Sequence, residues 1–293
     1  MAGKSRARNK VFNEQKEDEL QIEVDPATGI QKKNVARDDF GWEVPVETVP
    51  IPSKGIVYPQ GTALGLLETI DIRAMTAREE DILTSQALIR KGTVISTLLQ
   101  SVVLNEGIDV NDLLMGDRNA LMIATRITGY GSDYSVNVKC MSCNTKQDYT
   151  FDLGDLPIKR LNIDPVSHGQ NLFEFELPVT KKKVLFKFLT GTEEETLSEL
   201  SKRRKALFPD IEVTSLVTSR LESMIVSIDK ISDRGKISAF VRDMPAYDSR
   251  VLRGYITNNE PGIEMKSVMC CRECGQTSEI QIPIGLSFFW PDL

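Results

Sequence analysis

The sequence has 293 residues, room for about two domains of ordinary size. Lys and Arg total 36 against 42 Asp and Glu, a net charge of −6, which argues against a general nucleic-acid binder. A single histidine, His168, excludes an internal histidine cluster or a His-Glu-x-x-His zinc protease, and any Ser-His-Asp triad would have to run through it.

Residues 1–49 differ from the rest. Basic Lys4, Arg6, Arg8 and Lys10 are followed by acidic Glu14, Glu17, Asp18 and Glu19, and apolar residues are sparse and without period. Such a composition buries too little apolar surface to fold alone. An extended N-terminal arm is expected. It is either an assembly arm that reaches a neighbour through Val11, Phe12, Leu20, Ile22, Phe40 and Trp42, or a solubilising tail. The basic start lacks an apolar stretch behind it, so no signal peptide is expected. No apolar run reaches the roughly 18 residues of a membrane span, so a cytosolic origin without membrane insertion is the expectation.

A turn-rich segment, Val49–Gly55, opens the part expected to fold. Leu67–Arg73 alternates and predicts a strand. Thr76 and Glu79 have capping-box spacing and predict a helix to about Arg90, stopped by Gly92. Helices are expected at Val94–Leu104 and from a cap at Asp117 to Gly129, with a helical turn from Asp109 between them. Strands are predicted at Tyr134–Val138, Tyr149–Leu153, Leu172–Leu177 and Val184–Leu189. Thr192 with Glu195 is a second capping box, opening a helix to about Leu207. Helices are predicted next at Ser215–Ile225 and Ala246–Ile256, then strand-like residues around Val268 and over Ile280–Ile284.

The strongest chemical signal is a pair of Cys-x-x-Cys motifs, Cys140/Cys143 and Cys271/Cys274. Each lies between alternating segments, hence at a hairpin tip. A redox pair of thioredoxin type would instead open a helix after a strand. The residue after each second cysteine is Asn144 or Gly275, the two types that best tolerate positive φ. A zinc knuckle needs that conformation to turn backbone N–H groups toward the sulfurs. Four thiolates saturate one Zn2+ and leave no open position for water, so the site is expected to be structural. Cys270 aligns with Lys139 rather than with a ligand, although either Cys270 or Cys271 could serve by spacing alone. Residues 144–270, 127 in all, separate the two motifs, so a metal would close a long loop and its binding energy would become folding energy.

The remaining candidates are weaker. Lys181–Lys183, Lys187 and Lys202–Lys205 are basic clusters, read as solvated faces or as contacts to an acidic partner. His168 sits in a turn. Phe288-Phe289-Trp290-Pro291 either plugs a core groove or docks into a partner. Neither a Walker loop nor a Gly-x-Ser-x-Gly elbow occurs. No small-molecule substrate is expected, and a zinc enzyme would need an open coordination position.

The resulting fold class is α+β. It comprises the arm 1–49, a helical domain 50–130, a split zinc ribbon of two knuckle hairpins from 131–153 and 263–293, and a mixed α/β-hairpin domain 154–262 inserted between them.

Several stretches carry a resemblance: Pro52–Tyr58, Ala74–Thr84, Ile89–Val94, Leu113–Asn119 and Ile127–Gly131, with the paired cysteine hairpins and the Phe288–Pro291 ending. Together they resemble the baseplate hub assembly family of T-even-type contractile-tailed bacteriophages, over about residues 50–293. The resemblance implies a non-enzymatic role in building the tail baseplate around its hub. The implied partners are other baseplate and tail hub proteins, and the implied location is the virion tail after assembly in the host cytoplasm. An assembly chaperone that leaves the virion is the alternative. A zinc-ribbon nucleic-acid binder is a second alternative, disfavoured by the acidic charge.

Overall fold

The computed structural model describes residues 23–24, 31–37, 43–207, 216–282 and 286–289. Expectations resting on Val11, Phe12, Leu20, Ile22, Phe40, Trp42, Trp290 and Pro291 lie outside the described residues. The described chain is a mixture of helices and small antiparallel sheets, an α+β arrangement. Its buried apolar side chains form one contiguous cluster.

Strands β1 (Glu23–Val24), β2 (Gln31–Arg37), β3 (Glu43–Pro50) and β4 (Thr69–Arg73) form an antiparallel sheet in that order. Ile70 and Ile72 of β4 are fully buried while Thr69, Asp71 and Arg73 face outward or lie half-buried, the period-2 pattern of a one-sided strand. Val46–Pro50 pairs residue for residue with β4, so pairing extends into the span read as an arm.

Helices α1 (Ala77–Thr84), α2 (Gln86–Lys91), α3 (Val94–Val102) and α4 (Met115–Tyr130) come next in the chain. The single helix expected from Thr76 to Arg90 is broken at Ser85, whose ψ of 105° is extended. Thr76 caps α1, and Glu79 reaches back to accept its N–H at 2.9 Å and its hydroxyl at 2.7 Å. Arg73 grips the same carboxylate from β4 with two N–H groups at 2.7 and 3.0 Å. These contacts hold Glu79 at about 2: burial raises it, and the Arg73 and Thr76 hydrogen bonds outweigh that.

Asp117 does not cap α4, contrary to expectation. The helix starts two residues earlier because Leu189 O already accepts the Met115 N–H. Asp117 instead lies buried in the first turn and accepts from Ser53 N–H at 2.9 Å, Ser53 Oγ at 2.6 Å and Tyr58 Oη at 2.5 Å. Tyr58 Oη in turn accepts from Leu114 N–H. The turn-rich 51–67 segment is thereby tied to α4.

The second half contains β5 (Asp133–Lys139), β6 (Lys146–Asp152), β7 (Ile158–Lys159), β8 (Phe173–Glu176), β9 (Lys183–Phe186), α5 (Gly191–Leu207), α6 (Leu216–Met224), β10 (Ile225–Ile228), α7 (Arg234–Asp243), α8 (Ala246–Asn259), β11 (Gly262–Ile263), β12 (Lys266–Cys270) and β13 (Thr277–Gln281). The sheet β10-β9-β8 is antiparallel and stacks Phe173, Phe186 and Phe188 against one another, with Tyr255 of α8 against Phe186. The second capping box is displaced. Thr190 and Glu193 make it, with Glu193 accepting Thr190 N–H at 3.1 Å, while the Thr192 hydroxyl donates to Asn111 O and Glu195 pairs with Arg118 at 2.9 Å.

Both ends of this second half are fastened to α4. A Cβ on Gly116 would lie 1.7 Å from Pro261 O, so only glycine lets the chain return past the helix into β11. Near the helix's other end, the buried guanidinium of Arg126 donates to Phe288 O at 2.8 Å, Gly131 O at 2.8 Å and Asp133 O at 3.2 Å. No helix among the described residues is long and apolar enough to cross a membrane.

Candidate metal centre

Two hairpins carry the cysteines. In β5–β6 the last pair is Lys139↔Lys146, and in β12–β13 the corresponding pair is Cys270↔Thr277. Each closes a loop of equal length, 140–145 and 271–276, so Cys140 corresponds to Cys271 and Cys143 to Cys274. The loops also share their backbone bonds. Cys140 N–H donates to Thr145 O and Asn144 N–H to Cys140 O; Cys271 N–H donates to Gln276 O and Gly275 N–H to Cys271 O. Asn144 and Gly275 have φ of 61° and 66°, the left-handed conformation expected at those two positions.

The structure brings all four sulfurs within 4.8 Å of one another. Cys140 and Cys274 Sγ are 3.8 Å apart, Cys143 and Cys271 Sγ 3.6 Å. These separations are far beyond a disulfide bond. They approach the edge of a tetrahedron whose metal–sulfur distance is about 2.3 Å, for which sulfurs lie about 3.8 Å apart. The cross-pairing interlocks the hairpins: each of these two edges joins one cysteine from either motif. Cys140 and Cys271 are buried, Cys143 and Cys274 exposed. Cys270 stands outside the cluster, its thiol turned toward Gly275 O.

The local field on the thiols is uneven. Thr145, 3.4 Å from Cys143 Sγ through its hydroxyl, holds that thiol down to about 6 together with its backbone N–H. Cys140 is lowered by backbone N–H groups, of Cys143 first and then Ser142. Cys274 has one lowering contact, from the Gln276 backbone, but burial and the three neighbouring thiols push it up to about 11. Four thiolates this close repel one another, so all four shed their protons together only when a cation enters among them. The donor set therefore fits a soft or borderline metal ion.

Outside the cysteines the hairpins touch through Arg272 N–H to Gln147 Oε1 at 3.0 Å and Gln147 Nε2 to Cys270 O at 3.5 Å. Phe288 and Phe289 are buried, Phe288 standing edge-on to Tyr134 of β5 at 5.1 Å. The described half of the aromatic ending thus fills the core. His168 is exposed in its turn. Lys182, Lys183 and Lys187 pair with Asp229, Glu174 and Glu193.

Sequence reasoning missed Arg126 and the Asp117–Ser53–Tyr58 cluster. A charged residue inside the apolar run Leu121, Ile123, Ala124, Ile127 was the available signal for the first. A comparison with protein families finds one described as T4 bacteriophage base plate protein, matching residues 51–290. Comparisons with curated proteins and with solved structures returned no match. The matched span takes in α4 and both cysteine hairpins, and the chain belongs to this phage base plate family.

Proposed function

We propose that the chain is a non-enzymatic structural component of a contractile tail baseplate, placed around the central hub among other baseplate proteins and held in shape by one structural Zn2+. The observation that carries this is the family match together with a four-sulfur cluster that would saturate a tetrahedral ion. Cys140, Cys143, Cys271 and Cys274 would hold the ion. Bound there, it supplies no open position for substrate or water and serves as a cross-link.

In this reading 131–153 and 263–293 form a split zinc ribbon, and 154–262 is the domain inserted between its halves. The ion would close the loop of residues 144–270, in which Pro261 packs on Gly116 of α4, while Arg126 ties Gly131, Asp133 and Phe288, outside that loop, to the same helix. A cleft beside α3 fits the non-enzymatic reading. It measures about 710 Å³, and its one glutamate, Glu195, is already engaged by Arg118 and Ser96.

Quantitative mass spectrometry of purified virions is the test. A fixed copy number in the tail supports a retained component. Abundance in assembly intermediates with loss from the finished particle would establish the assembly chaperone instead.

A further inference from the structure

We propose that the groove between α3 and α5 receives an extended segment of a neighbouring protein, one with carboxylates at one end and a lysine or arginine about four residues away. That the neighbour is a baseplate protein rests on the function proposed above. Helix α3 builds one wall. Thr93, Ser96, Thr97, Gln100 and Ser101 have the spacing of a single helix face, while Val94, Leu98, Leu99 and Val102 turn inward and are buried. The Ser96 hydroxyl reaches Glu195 of α5 at 2.7 Å and joins the two walls.

Two clefts run along this face. One, of about 710 Å³, extends from Thr93 past Thr97 and Gln100 to Asp109 and Asn111. The other, of about 490 Å³, is lined by Arg90, Lys91, Thr93, Glu199 and Arg203. Thr93 belongs to both, and Glu195 and Glu199 line one each, a single turn apart on α5, so the clefts are two lengths of one groove. The wall is fixed from within. Thr97 and Ser101 give their hydroxyls to Thr93 O and Leu98 O, and Gln100 bridges Ile108 O and Val110 N–H. No residue of Val94–Val102 is charged, so the middle of the groove is neutral and polar.

Charge is confined to the two ends, with opposite character. At Thr93, three cations converge from two elements: Arg90 and Lys91 from the last turn of α2, and Arg203 from α5. Last-turn cations answer the dipole of α2, but that dipole does not call for Arg203. The one carboxylate lining this end, Glu199, stands 3.6 Å from Arg203 with both side chains more than half exposed, a weak pair. Arg90 and Lys91 have no ion pair among the described residues, and Arg90 Nε donates only to Gln86 O. This end is net positive and takes carboxylates.

The far end has no cation in its lining and offers acceptors. Asp109 lies there, and Asn111 Oδ1 is buried without a hydrogen-bond partner. Glu195 is already paired with Arg118 at 2.9 Å. A buried amide oxygen left unpaired is costly, and a donor brought by an occupant removes that cost. From Thr93 to Ser101 the helix rises about 12 Å. That is the span of about four residues of extended chain. A carboxylate held by Arg90, Lys91 and Arg203 therefore sets a lysine or arginine four residues along beside Asp109 and Asn111, with the intervening backbone lying on hydroxyl and amide groups.

The test uses the full chain and fluorescein-labelled peptides read by fluorescence anisotropy at low salt. Either chain direction fits the groove, so the probes are Glu-Glu-Ser-Thr-Ser-Lys and its reverse, Lys-Ser-Thr-Ser-Glu-Glu. One of the two should bind with Kd of about 100 µM or tighter, and its counterpart with glutamine for every charged residue about tenfold more weakly. R90Q/K91Q/R203Q, changes confined to exposed side chains, should weaken the bound probe about tenfold. D109N/N111A should weaken it about threefold yet leave unchanged the affinity of the same probe with glutamine for lysine. No binding of either probe, equal binding by the charge-free peptide, undiminished binding by R90Q/K91Q/R203Q, or tighter binding of a single-stranded oligothymidylate would overturn the proposal. Each of those results would leave the abundance of the chain in virions, and so the baseplate reading, untouched.

Discussion

Replacing Asp117 by asparagine isolates a buried charge that works against the fold at neutral pH. Burial pushes this carboxyl up to about 6, and the hydrogen bonds from Ser53 and Tyr58 offset only part of that. An unfolded aspartate titrates near 3.8. The folded value is the higher one, so the stability linked to the proton is complete below about pH 3.8 and is lost as pH rises through 6. The full gap corresponds to about 3 kcal/mol, of which about 2 kcal/mol changes between pH 4.5 and 7.5. Urea unfolding followed by circular dichroism over that range gives the comparison. The asparagine loses an acceptor at every pH, so the difference between the two proteins, rather than either curve, is the readout. The wild-type protein should gain about 2 kcal/mol relative to D117N as pH falls from 7.5 to 4.5. Parallel pH profiles for the two would refute the reasoning.

Gly116→Ala should cost about 3 kcal/mol or more, because its Cβ would meet the Pro261 carbonyl rather than a flexible side chain; Gly254→Ala, with open space around it, should be neutral or mildly stabilising in the same thermal melts. Arg126→Met leaves the Phe288, Gly131 and Asp133 carbonyls without their donor and should cost about 3–5 kcal/mol by denaturant titration, with faster proteolysis after Phe288. Glu79, held at about 2, stabilises above its unfolded value of 4.5 and loses that contribution as pH falls toward 2. Its full linkage is about 3 kcal/mol, reduced by solvent screening to about 1–2, and Glu79→Gln should flatten this acid limb of the stability curve. Thr190→Ala should destabilise α5 by about 1 kcal/mol while the Thr192→Ala change costs less, which hydrogen exchange at the helix start would separate.

The cysteine hairpins were legible because their signal is local: two motifs, alternating flanks, and Asn144 and Gly275 where positive φ is needed. The aromatic ending was half legible, since Phe288 and Phe289 turn inward as one of two readings allowed. The helix starts were harder. Thr190-x-x-Glu193 and Thr192-x-x-Glu195 both satisfy the capping pattern, and only tertiary pairing of Thr190 with Leu114 selects the first. Asp117 looked like a cap because aspartate before an apolar run is one in isolation. The carbonyl of Leu189, just beyond β9, replaced it, and that contact is 74 residues distant in sequence. Helix α7 went unread because its cap, Asp233, lacks an acidic residue three positions on, and its buried face is only Ile237 and Val241. Strand β10 continues from α6 without a break, so no turn marked its beginning.

Metal content of the purified full chain tests the central claim most directly, measured by inductively coupled plasma mass spectrometry on the wild-type protein, C270S and C271S. One zinc per chain is expected in the wild-type protein and in C270S, with loss of the metal and a lower Tm in C271S. Less than about half an equivalent of zinc in the wild-type protein, with stability unchanged by chelator, would contradict it. So would full zinc retention in C271S.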